Sequence, residues 1–154
     1  LKPLLGFEHD YRKSVELVHA AAGELDIHYD NYPYAETVVP IYTLLPRWAQ
    51  IGNLEIMLSY INNSEMRARL VKDLAGIDGN AVKVSQSAGR EYLLGKTLHQ
   101  FAGTQELSVP EALLKLMKLT GLRATVFYKN INQVLFLFLV LLELCKLQRI
   151  QVLQ

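Results

Sequence analysis

The chain has 154 residues, 51% of them apolar, with 16 basic side chains against 15 acidic ones and a single cysteine. That length suits one domain or a piece of a larger protein, with enough apolar residues to bury a core. A net charge of +1 argues against a domain built to grip nucleic acid or an anionic membrane surface, and one cysteine excludes an internal disulfide framework.

Cys145 as the lone thiol fits a reducing compartment, so a cytoplasmic location is expected. Residues 1–6 carry no long apolar run and no small-residue cleavage site of a signal peptide, and they lack an initiator methionine. The longest unbroken apolar run, residues 134–142, falls well short of the roughly 20 residues that span a bilayer.

Pro3 and Gly6 make residues 1–9 an irregular entry, after which Asp10 is placed to cap a helix over 11–22. Tyr11, Val15, Val18 and Ala22 recur at helical spacing there, and Gly23 is a natural stop. The stretch Asp26-Ile-His-Tyr-Asp-Asn-Tyr-Pro-Tyr34 packs one His, two Asp, one Asn and three Tyr into nine residues. Its first five residues alternate as a strand does, with Ile27 and Tyr29 on one side and His28 and Asp30 on the other. Pro33 cannot donate to a sheet ladder, so that strand is expected to end near Asn31. A helix feeding a strand through a short loop is the αβ half of a βαβ repeat.

Residues 35–49 hold Pro40 and Pro46 and no steady period, which predicts a long loop with Leu44, Leu45 and Trp48 turned inward. Asn53 is placed to cap a short helix over 54–61, and Asn62 or Ser64 to cap a second over 65–75, with Met66, Leu70 and Leu74 on one side. Arg67, Arg69, Lys72 and Asp73 fall on the other faces and read as a solvated helix surface. Residues 81–85 alternate as a strand, 86–95 read as a loop, and 97–103 as a short helix ending at glycine. Ser108-Val-Pro-Glu111 has the spacing of a capping box, with proline in the first turn of a helix over 109–119 that buries Leu113, Leu116 and Met117. Residues 123–128 are β-branched and aromatic and predict a second good strand. Asn130 is placed to cap a last helix, which from Val134 is apolar on every face and must be buried all round or meet lipid.

The chemistry-bearing motifs are sparse. The sequence holds no CxxC, HExxH, P-loop, GxGxxG or GxSxG. His9, His19, His28 and His99 lack metal-ligand spacing. His28 and Asp30 share a strand face, but two ligands fall short of the roughly three or four that a zinc site needs. Tyr29, Tyr32, Tyr34, Tyr42 and Trp48 read either as core or as a pocket wall whose phenols donate to a carboxylate.

Tyr-Asp-Asn-Tyr-Pro-Tyr at 29–34, Leu-Leu-Pro-Arg-Trp-Ala at 44–49 and Met-Arg-Ala-Arg-Leu at 66–70 together resemble the D-aminoacylase (N-acyl-D-amino-acid deacylase) family of the amidohydrolase superfamily. The resemblance continues through 94–98, 108–113 and 124–128 and covers roughly residues 7–133. It rests on the order and spacing of these segments rather than on any one of them.

The resemblance implies an α/β fold: a helix-rich, partial TIM-barrel fragment. Residues 26–30 and 123–128 would be the sixth and seventh barrel strands, and a helical lid insertion would lie within about 35–90. Residues 1–133 would then be the barrel segment and 134–154 an apolar helix foreign to the family, which resembles an out-of-frame reading or a different ending. The implied activity is zinc-dependent hydrolysis of the amide in an N-acyl-D-amino acid, with zinc as cofactor and that small molecule as partner. His28 would be the metal ligand, Asp30, Tyr32 and Tyr34 would line the substrate cavity, and Arg47 would bind the substrate carboxylate bidentately.

The family's HxH strand is absent, and residues 134–154 contain no Asp to serve as its general base. No residue is therefore assigned as catalytic, and the chain is expected to be inactive alone. A partial barrel leaves apolar faces open, which predicts self-association. The alternative expectation is a non-enzymatic interaction or membrane-associating module acting through the apolar C-terminal helix.

Overall fold

A computed structural model describes residues 1–22, 24–27, 30, 34–87 and 89–137. The chain divides into two compact units, Leu1–Thr37 with Asn130–Gln154, and Val38–Lys129.

In the first unit, helix α1 (Glu8–Ala21) follows Phe7, which offers no side-chain cap; the expected cap, Asp10, lies inside the helix. Tyr11 and Val15 turn inward and form a small cluster with Leu135. The chain entry is tied down by an antiparallel bridge between Leu4 and Ile131, and Leu5 N–H donates to the Asn130 carbonyl at 2.8 Å. Residues 133–137 are helical, capped not by Asn130 but by Asn132, whose Oδ1 accepts from Leu135 N–H at 3.0 Å. Asn130 instead accepts from the Thr37 hydroxyl at 2.9 Å. The rest of the expected apolar tail helix, residues 138–154, lies outside the described residues.

The second unit is a helical layer against a small open sheet. Its strands β1 (Thr37–Pro40, which begins at the unit boundary), β2 (Val82–Gln86) and β3 (Thr125–Tyr128) lie in the order β1-β3-β2. β2 and β3 run antiparallel, pairing Val82 with Tyr128 and Val84 with Val126, with a bulge before Gln86. Val82, Val84 and Val126 send their side chains into the core, as a half-buried alternating strand must. The far edge of β2 is covered by residues 95–97: Val84 N–H donates to the Lys96 carbonyl and Gly95 N–H returns to Val84.

The helices follow their caps. Asn53 Oδ1 accepts from Ile56 N–H at 2.9 Å and starts α2 (Leu54–Asn62). α3 (Ser64–Asp73) is capped by Asn63, between the two expected candidates, with Met66 N–H at 3.0 Å. α4 (Leu98–Gln105) opens with a Thr97–Gln100 capping box, runs past Gly103 and closes on Glu106 in the left-handed region at φ 52°. α5 (Val109–Leu119) opens with the expected Ser108–Glu111 box. It buries Leu113, Leu116 and Met117 completely, at 0% exposure.

This architecture corrects the expected partial TIM barrel. A barrel needs parallel strands, each joined to the next by a crossover helix. Here the sheet has three strands and is open, two of them are antiparallel, and both edges of β3 are already taken by β1 and β2. Asp26, Ile27 and Asp30 are not in a strand, so the proposed sixth barrel strand is absent among the described residues. The expected lid at 35–90 is instead structural, since Ile41, Leu45, Met57, Ile61, Leu70, Val82 and Val84 belong to one buried core. Alternation and β-branching predict that a segment is extended, but the direction of its partner depends on residues far away in sequence.

Candidate functional site

Of the residues singled out from sequence, Asp30 and Tyr34 fall in one unit and Arg47 in the other. Asp30 and Tyr34 are exposed in the first unit, Tyr34 at 64%, and the Asp30 backbone carbonyl accepts from the Leu1 ammonium. Arg47 belongs to the second unit, where it begins a short 3₁₀ turn, Arg47–Ala49, with its side chain exposed. His28 and Tyr32 lie outside the described residues.

Arg47 sits beside a tight polar cluster. The Trp48 indole N–H donates to Asp73 Oδ2 at 2.8 Å, and the Arg69 guanidinium lies over the Trp48 ring, 4.3 Å from its centroid. Arg69 Nε approaches the same Asp73 oxygen at 3.9 Å, and Tyr60 tilts against Trp48 with ring centroids 6.0 Å apart. This cluster pins the 3₁₀ turn to α3 and so fixes where the Arg47 backbone leaves the body of the unit.

A cavity of about 380 Å³ opens along the helical face and is lined by Ile61, Asn62, Arg67, Leu107, Leu114, Lys115 and Lys118. Its apolar part is the side chains of Ile61, Leu107 and Leu114; its polar part carries three cations from two helices, Arg67 in α3 and Lys115 and Lys118 in α5. A neighbouring hollow of about 360 Å³ shares Arg67 and adds Ser64, Ala68, Val71 and Glu111. The Glu111 carboxyl is held below the usual glutamate range, chiefly by the Ser108 hydroxyl, then by the Ser108 backbone N–H and the Arg67 charge. Sequence reasoning placed Arg67 on a solvated surface and left the two lysines aside. Their three-residue spacing, which sets them on one helix face, was the available signal.

In the first unit, Glu8, Arg12, Asn132, Val134 and Leu135 line a cavity of about 460 Å³. Asn132 Nδ2 donates to Glu8 Oε1 at 3.1 Å, and that hydrogen bond is the main reason the Glu8 carboxyl titrates below its ordinary value.

No group of three or more His, Cys, Asp or Glu side chains able to hold a metal ion is gathered among the described residues. The described residues therefore do not supply the zinc centre that the sequence resemblance implies, the open sheet replaces the expected barrel, and no chemical step is assigned to a metal. No described helix is long and apolar enough to cross a membrane. No protein-family profile, no curated protein and no solved structure matches the chain.

Proposed function

We propose that the chain is a non-catalytic part of an amide hydrolase acting on N-acyl-D-amino acids, with the Val38–Lys129 unit as an accessory body that offers Arg47 to the substrate carboxylate. The observation that carries this reading is the convergence of the resembling segments. The 44–49 and 66–70 segments meet where Arg69 stacks on Trp48. The 94–98 segment pairs with β2, 108–113 opens α5, and 124–128 carries β3. Segments that resemble a family in order, and that also build one core, are placed to act together as a module. Arg47 remains exposed beside that core, without an ion pair among the described residues, and a guanidinium suits a planar carboxylate.

The test is titration of the whole chain with N-acetyl-D-methionine, followed by NMR at the arginine Nε–H resonances, with turnover assayed in parallel with added zinc. The reading expects a saturable shift at Arg47, lost in Arg47→Gln, and no hydrolysis. An unshifted Arg47, or turnover by the chain alone, would overturn it.

A second reading, partner docking through the C-terminal segment, is favoured by the exposure of Val134 (80%) and Leu137 (57%) at the end of the described chain. It expects binding to apolar vesicles or partners to vanish when residues 134–154 are removed, and it fails if the truncated chain binds as well.

A further inference from the structure

We infer that the cavity between α2, α3 and α5 is a binding site for a small amphiphilic anion: one charged head, carboxylate or phosphate monoester, on a short apolar arm. The inference stands apart from the Arg47 reading, because Arg47 does not line this cavity.

The lining divides chemically as such a ligand does. Ile61 and Leu114 are buried members of the main core, at 3% and 1% exposure, and Leu107 packs against them. They present an apolar surface that an alkyl or acyl arm can cover, and each CH₂ so removed from water favours binding. Arg67, Lys115 and Lys118 stand exposed on the same lining. Among the described residues none of the three side chains is in an ion pair, and Glu111, whose charge Arg67 feels, lines the adjoining hollow and not this one. Like charges gathered on one lining repel, and a bound anion converts that repulsion into attraction.

Helix geometry adds to this. Arg67 lies in the opening turns of α3, whose N-terminal N–H groups carry partial positive charge. Asn62 at the end of α2 contributes an amide that can donate or accept at the rim. A volume of about 380 Å³ lies within the range of small-molecule pockets.

A bland alternative assigns Lys118 to the C-terminal dipole of α5, in whose last turn it lies. That role does not account for Lys115 mid-helix or for Arg67 on a different helix facing the same hollow. It also predicts no ligand dependence on the apolar lining.

The test uses the full chain with labelled Ile and Leu methyl groups and four probes: octanoate, octyl phosphate, inorganic phosphate and octanol. The inference expects octanoate or octyl phosphate, or both, to shift the methyl signals of Ile61, Leu107 and Leu114 saturably; comparing the two identifies the preferred head group. Phosphate or octanol alone is expected to bind far more weakly. The double variant Lys115→Gln/Lys118→Gln should bind roughly tenfold more weakly, as two partly exposed charge contacts imply. Arg123→Gln, an exposed cation outside the lining, should leave binding unchanged. Circular dichroism of each variant establishes that it is folded. Octanol matching octanoate, inorganic phosphate matching octyl phosphate, or the lysine double variant binding as the parent does, would each overturn the inference.

Discussion

The Arg69 guanidinium lies 4.3 Å above the centroid of the Trp48 ring, while the same indole donates its N–H to Asp73 at 2.8 Å. The two contacts fasten a 3₁₀ turn, which has few hydrogen bonds of its own, to the end of α3. Arg69 and Asp73 are 59% and 36% exposed and 3.9 Å apart, so their ion pair adds little by itself. The cation–π contact at such a site contributes about 0.5–1 kcal/mol. Arg69→Ala is therefore expected to lower stability by about that amount. Trp48→Leu is expected to do more, because it removes the ring beneath Arg69 and the donor to Asp73 and shrinks a side chain packed against the core. In a double-mutant cycle by urea denaturation the two losses should be less than additive; strict additivity would show that the stacking contributes nothing.

Ser108 and Glu111 hold one another in a reciprocal arrangement. The Ser108 hydroxyl donates to Glu111 Oε2 at 2.7 Å, the Ser108 N–H donates to the same oxygen at 3.3 Å, and Glu111 N–H donates back to Ser108 Oγ at 3.5 Å. Ser108→Ala is expected to lower stability by about 1 kcal/mol, as the loss of a good cap does. These bonds favour the ionised carboxyl, so the folded-state value of Glu111 lies below the unfolded one. The contribution is fully present above the unfolded value of about 4.3 and is lost as pH falls through the depressed folded value. Glu8, lowered chiefly by Asn132, acts in the same direction. Urea midpoints measured from pH 7 down to pH 3 should fall at the acid end, and Glu111→Gln should flatten that fall. A Glu111→Gln profile parallel to the parent's would refute the linkage.

Much of this local architecture was legible because it depends on near neighbours. The Ser108 box, the Asn53 cap, the buried face of α5 and the extended character of 82–86 and 125–128 follow from patterns within a few residues. What was not legible depends on distant pairing. Nothing near Val84 specifies that Val126 will oppose it antiparallel, and nothing near Thr37–Pro40 marks it as the partner that closes the other edge of β3. The two prolines at 40 and 46 concealed a short edge strand and two 3₁₀ turns within what reads as a loop. The polar stretch at 26–34 drew attention by composition alone, while the cations that share a cavity sit on separate helices and come together only through packing.

Glu106 closes α4 with φ at 52°, a conformation that costs a residue with a Cβ about 1 kcal/mol. Its N–H satisfies carbonyls at the helix end, so the conformation is held by the cap and not by the side chain. Glu106→Gly is expected to stabilise the protein by roughly 0.5–1 kcal/mol, since glycine adopts that φ freely and its greater unfolded-state entropy offsets only part of the gain. The thermal midpoint should rise; a fall would mean that the Glu106 side chain makes a stabilising contribution of its own.

Gly79 presents the opposite case, a glycine required by space and not by φ. A Cβ built there would lie 3.0 Å from the His99 backbone nitrogen and 3.1 Å from both methyl groups of Val109. The same His99 N–H donates to the Gly79 carbonyl at 3.0 Å, so the turn before β2 is held against the start of α4 by that bond. Gly79→Ala is expected to destabilise by about 1–3 kcal/mol, the usual consequence of overpacking. Trimming Val109 to alanine should recover part of the loss, because two of the three close neighbours are its methyls, while the backbone contact at His99 persists. Chemical denaturation of the single and double variants checks both statements. An unchanged midpoint for Gly79→Ala would show that the turn yields without cost and that α4 is not anchored there.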